Sequence, residues 1–196
     1  MQRNLEQTLE LIKGLHFDGF KNGGPGYCVL GSLAVRDALR LLGFDAQVKS
    51  VACEIKAAAG EPSIGLHALC VGMNKLIGDP YHGKDWDGHL IVTVPGYIID
   101  PSMSSMRRDA WDWVPPTAVV RRQPKIVHTL PTLHGKLPVI ARWREDLPDR
   151  DNYKFEAVWA SYNANQGWRN GPDYRDVSRR RALARDIVDE IEKLSE

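Results

Sequence analysis

The stretch HLIVTVPGYIIDPSM, residues 89–103, decides how this chain folds. Two runs rich in β-branched residues lie on either side of Pro95-Gly96, which is a hairpin signature. Pro-Gly suits a type I or II turn better than the primed turns, so a wider loop at the tip is also compatible. With Val94 and Tyr97 flanking the tip, Thr93 faces Ile98, Val92 faces Ile99, Ile91 faces Asp100 and His89 faces Ser102. Opposed residues point to the same side of a sheet, and so do residues two apart on one strand. His89 and Asp100 therefore share a face as diagonal neighbours, about 7–8 Å apart at the backbone. A slip of one residue would put them on opposite faces.

The second informative stretch is NGGPGYCVLGSLAVRDALRLLG, residues 22–43. A Gly-rich loop runs into a helical pattern, and Cys28 stands at the junction. There it meets the positive end of the helix dipole, an environment that favours a thiolate. Ser32, Arg36 and Arg40 form one narrow polar stripe, with Asp37 beside them, while apolar residues fill most of the remaining circumference. A helix of that kind is buried on several sides. Gly43 is its expected C′ residue.

Acyl transfer through sulfur needs a thiolate, an imidazole that exchanges the proton, and a group that fixes the imidazole tautomer. Cys28, His89 and Asp100 supply these in chain order. The oxyanion needs donors aimed at it. The Cys28 backbone N–H is one, and the Asn22 side chain or a glycine amide of the loop is the second. Tyr27 joins Asn22 among the candidate oxyanion or substrate-binding residues. Trp86, three residues before His89, is placed to wall the cleft or donate its indole N–H.

The segments GYCVLGSLAVRDALRLLGF, DGHLIVTV and GYIIDPSM resemble the transglutaminase-like branch of the papain-like cysteine protease superfamily. The same order of Cys, His and Asp is similar to that of bacteriocin-processing cysteine peptidases, which place Gln where Asn22 stands, and of arylamine N-acetyltransferases. The resemblance spans roughly residues 20–105. It departs from the family at Ile91, where an aromatic residue is often found, and in the absence of the upstream Gln and of an evident oxyanion Trp. The resemblance implies an α+β, papain-like fold in which the Cys28 helix packs on an antiparallel sheet bearing His89 and Asp100. It also implies a cysteine hydrolase or acyltransferase, acting on a peptide, protein or small amide by hydrolysis or by transfer to an amine. No cofactor is required for that chemistry.

The 196 residues fit a single domain, with a core over about 16–106 and an elaboration over 107–196. With 26 basic and 25 acidic residues, the net charge gives no reason to expect nucleic acid or an anionic membrane as partner. The first residues are amphipathic and charged throughout, unlike a signal peptide, and no apolar run approaches a membrane span. Three cysteines in no paired spacing suit a reducing compartment, so a cytoplasmic location is expected. Periodicity predicts a helix over 3–15 and another over 173–194. It predicts strands over 45–57, 65–77, 117–122, 137–145 and 153–162, with a bulge or edge position near Ser50, where the polar face changes parity. Loops 58–66, 78–88 and 104–116 are where substrate specificity would lie.

Blander readings stand beside the catalytic one. A cysteine in an apolar helix is usually packing, and Asp before Pro often just ends a strand. On those readings the chain is a binding or interaction protein on the same fold. Cys53, His67, Cys70 and His82 can be imagined as zinc ligands, but no second tight pair completes a structural zinc signature, so no metal is expected. Arg175, Arg179, Arg180, Arg181 and Arg185 read as a solvated helix face. Trp111, Trp113, Trp143, Trp159 and Trp168 read as core.

Overall fold

The structure, a computed structural model, describes residues 4–17, 20, 28–58, 67–71, 89–103, 115–123, 129–132, 135–147, 153–161 and 167–195. It mixes helix and sheet, with every strand pairing described below antiparallel. In chain order come α1 (Leu5–Lys13), α2 (Cys28–Leu41), β1 (Gln47–Ala58), β2 (His67–Val71), β3 (His89–Val94) and β4 (Tyr97–Asp100). There follow β5 (Ala118–Arg121), β6 (Thr129–Thr132), β7 (Gly135–Leu147) and β8 (Tyr153–Ser161). A 3-10 turn (Gly167–Asn170), α3 (Pro172–Arg175) and α4 (Val177–Lys193) complete the order. Packing divides the chain into two compact units that interleave along the sequence. The first holds residues 1–49, 90–121 and 166–196, and the second holds 50–89 and 122–165.

The first unit is built around the hairpin. Its register is Val92 opposite Ile99, Thr93 opposite Ile98 and Val94 opposite Tyr97, as the alternation predicts. Gly96 has φ of 80°, the left-handed value that the third residue of a type II turn requires, so Pro95-Gly96 closes a two-residue tip. β5 adds to β4 with Ile99 opposite Val119 and Asp100 opposite Ala118. Val92, Val94 and Ile99 turn one face into a core with Leu30, Ala34 and Ala38 of α2, Leu9 and Ile12 of α1, and Leu183 and Ile187 of α4.

Each helix carries its own stop and start signals. Asn4 caps α1 by accepting the Glu6 N–H at 2.9 Å. α2 closes in a Schellman motif: Gly43 has φ of 91°, its N–H reaches the Arg40 carbonyl at 3.0 Å, and the Phe44 N–H reaches that of Leu39 at 2.9 Å. The predicted C-terminal helix is two helices, because Asp176 leaves helical geometry (ψ 75°) and its carboxylate caps α4 through the Arg179 N–H. Successive helical positions are about 100° apart, so a run of three arginines points one of them inward. That one is Arg180, and the expectation of a wholly solvated face is corrected there. It lies 3.0 Å from Asp37 of α2, with most of its side chain buried, and sits over the Tyr174 ring.

On the helix-facing side of β4, the Tyr97 hydroxyl donates to Glu6 of α1 at 2.8 Å, and Arg121 approaches the same carboxylate at 3.4 Å. The bond to Glu6 is the chief reason that the Tyr97 phenol is raised above its ordinary value of 10.0.

In the second unit the strands run in the order β2, β1, β8, β7, β6. The β1–β8 ladder is unbroken from Val51 opposite Ser161 to Ala58 opposite Lys154, and a register shift falls between Val139 and Ala141 of β7. Ser50, Val51, Ala52 and Cys53 are all buried, so both faces of β1 are covered there and residue polarity carries no parity signal. β6 was not anticipated, because Pro131 interrupts it. It lies at the end of this order, where the missing proline N–H breaks no ladder. Residues 72–77 of the expected second strand, and most of the loops 58–66, 78–88 and 104–116, lie outside the described residues, as do Trp111 and Trp113. Trp159 and Trp168 are core, as expected. No helix among the described residues is long and apolar enough to cross a membrane.

Ile99 is fully buried where the hairpin meets the helices. Ile99→Ala should cost about 2–5 kcal/mol in urea unfolding. Leu41→Ala, at an exposed position, should change stability by no more than about 0.5 kcal/mol.

Candidate active site

His89 and Asp100 are, among the described residues, the only acidic or basic side chains in the buried class, at 1% and 0% exposure. Burial of such groups is costly unless they are hydrogen-bonded or paired, and perturbed groups of this kind concentrate at functional sites. They stand at the two ends of one hairpin: His89 opens β3 and Asp100 closes β4. Extending the observed register by one step opposes Ile91 to Asp100, so positions 89 and 100 belong to the same face.

The first two turns of α2 are fastened to Leu90 and Pro101, both in the first unit. Ser32, fully buried, donates its hydroxyl to the carbonyl of Leu90 at 2.6 Å. Leu90 is the neighbour of His89. A Cβ built on Gly31 would lie 3.5 Å from Cγ of Pro101, which follows Asp100. The absence of a side chain at Gly31 therefore lets the helix approach the end of β4 closely. Cys28 is the first residue of α2, one turn before Ser32 on the same stripe, and its thiol is free and half-buried. The polar stripe read from the sequence is thus a fastening stripe. Arg40, further along it, donates to the Ala46 carbonyl at 2.7 Å.

Asp100 also performs the blander task expected of Asp before Pro. Its Oδ1 accepts the Ser102 backbone N–H at 3.1 Å and the Ser102 hydroxyl at 2.8 Å.

A second thiol was not anticipated in this role. In the second unit Cys53 and His89 are both buried, and each offers a donor atom within 4.8 Å of the other. A thiol and an imidazole can exchange a proton, and both are also zinc ligands. Cys53 stands opposite Trp159, itself fully buried. The sequence considered Cys53 only with His67, Cys70 and His82. The register opposes Cys70 to Glu54 and Val71 to Cys53, so positions 53 and 70 fall on opposite faces. His82 lies outside the described residues, as do Asn22, Tyr27 and Trp86. Nothing local in the sequence pairs Cys53 with His89, since the proximity arises from strands far apart in the chain. Ser102 was detectable, because Asp-Pro-Ser is a sequence in which the carboxylate reaches the N–H two residues on.

No protein-family model, curated protein or solved structure matches this chain.

The Gly31 contact is open to test. One added methyl makes an ordinary van der Waals contact with Pro101 and also favours helix, so Gly31→Ala should keep the urea midpoint at or above that of the parent. Gly31→Leu should separate the helix from the hairpin and lower stability by about 1–3 kcal/mol.

Proposed function

We propose that the chain is a thiol-dependent acyl-transfer enzyme that uses Cys28, His89 and Asp100, on a papain-like arrangement of helix and sheet. The observation that carries this reading is the double fastening of α2 to Leu90 and Pro101, the sequence neighbours of the buried His89 and Asp100. The helix that starts at the half-buried Cys28 is thereby tied to the hairpin through the face that carries Val92 and Ile99.

The chemistry follows from the residue types. Cys28 sulfur attacks a carbonyl carbon of a peptide, protein or small amide, and His89 takes the thiol proton. As the tetrahedral intermediate collapses, the C–N bond breaks, His89 returns the proton to the leaving nitrogen, and a thioester remains on Cys28. Water or an amine then attacks the thioester carbonyl, gives its proton to His89, and releases the thiol. Asp100 holds the imidazole in the required tautomer and stabilises its charged form. The Cys28 N–H, with Asn22 and Tyr27, would stabilise the oxyanion, and Trp86 would line the cleft. A thiol of this kind must stay reduced, and a reducing compartment such as the cytoplasm would keep it so.

Cys53 supports a second reading, in which it is the thiol partner of His89 or a zinc ligand beside it. We favour Cys28, because Cys53 is wholly buried against a tryptophan and its strand partners, where a thiol does not meet substrate.

Iodoacetamide labelling at pH 6, with the modified peptide located by mass spectrometry, separates the two. Cys28 should react at least about tenfold faster than a free thiol at that pH, and His89→Ala should abolish the excess. Cys53→Ser should leave the rate near that of the parent. Labelling of Cys28 at the free-thiol rate contradicts the proposal. Fast labelling of Cys53, or stoichiometric zinc that Cys53→Ser removes, supports the second reading.

A further inference from the structure

Asp100 reaches the end of β4 with little freedom left. Its backbone is paired with that of Ala118, and Pro101 fixes the backbone beyond it. One carboxylate oxygen, Oδ1, is taken by two donors of the same residue, the Ser102 N–H at 3.1 Å and the Ser102 hydroxyl at 2.8 Å. Asp100 and Ser102 are buried to 0% and 1% exposure. The N–H bond alone makes the turn, as any residue at position 102 other than proline would allow. The hydroxyl bond is additional. It is a charge-assisted bond to a carboxylate in a dry environment, and such bonds are stronger than neutral ones. Both donors act on Oδ1 and restrain the orientation of the carboxylate. The two bonds also favour the carboxylate over the acid form and offset part of the cost of burying it.

We propose that Ser102 is a positioning residue: its hydroxyl fixes the orientation of the Asp100 carboxylate on which the proposed triad depends. This rests on the reading of Cys28, His89 and Asp100 as one site. Ser102 touches neither substrate nor thiol and acts through Asp100 alone.

The test is iodoacetamide labelling of Cys28 at pH 6 in the full chain, comparing the parent with Ser102→Ala, Ser102→Thr, Asp100→Asn and the Asp100→Asn/Ser102→Ala double variant. Urea unfolding of each gives the folded fraction. Ser102→Ala should slow labelling of the folded protein about fivefold, the effect of weakening one charge-assisted hydrogen bond. Ser102→Thr, which keeps the hydroxyl, should come within about twofold of the parent. In the Asp100→Asn background the Ser102→Ala change should add no further loss, because two residues acting through one interaction are not additive. If alanine at this position unfolds the protein, the isosteric pair Ser102→Thr and Ser102→Val gives the same comparison.

A Ser102→Ala variant that labels at the parent rate overturns this inference alone. So does an equal slowing with and without the Asp100 carboxylate, or a lowered urea midpoint with unchanged labelling, since both mark a purely structural serine. A parent chain without fast, His89-dependent labelling overturns the reading of the site, and this inference with it.

Discussion

The left-handed backbone of Gly96 sets the register on which the candidate site depends. A two-residue type II turn opposes Val94 to Tyr97, and every later pairing follows in steps of one. Because side chains alternate, that single constraint sends Val92 and Ile99 to the helices, while Ile91 and Asp100 go to the other side with His89. One residue more or less in the turn would bury the wrong set on both faces. It would bring a carboxylate into the helix core and move Ile99 to the opposite face, which is also buried.

The second requirement is the close seat of α2. A helix packs about 8–10 Å from its neighbour when side chains intervene, and it comes closer where they are absent. Gly31 supplies the absence, and Ser32 converts the proximity into a hydrogen bond with a strand carbonyl. Both contacts fall in the first two turns, the part of α2 that carries Cys28. The rest of the helix is held by ordinary burial and by the Asp37–Arg180 pair.

Much of this was legible before the structure. Pro95-Gly96, the alternation on either side of it and the Gly43 stop are local signals, and each acts within a few residues of where it is written. The Cys28, His89 and Asp100 positions follow from those signals, as the start of a helix and the ends of two strands. What could not be read depends on contacts between distant segments. Cys53 lies near His89 although the two are far apart in the chain, and nothing around residue 53 announces it. The parity change near Ser50 falls where both faces of β1 are covered, so polarity alone does not say which way a side chain points there. Arg180 looked solvated because composition does not say which of three consecutive helical residues turns inward. Asp176 split a helix whose apolar spacing continued across the break.

The central claim is that Cys28 and His89 act as one coupled pair. Its most direct test is an NMR titration of the His89 imidazole, by its ring nitrogens, in the parent chain and in Cys28→Ser. A thiolate beside the ring stabilises the charged imidazole, so His89 should remain protonated at neutral pH in the parent and lose that proton at lower pH in Cys28→Ser. The same titration in both proteins, with a change only in Cys53→Ser, would contradict the account and move the thiol of the site to Cys53.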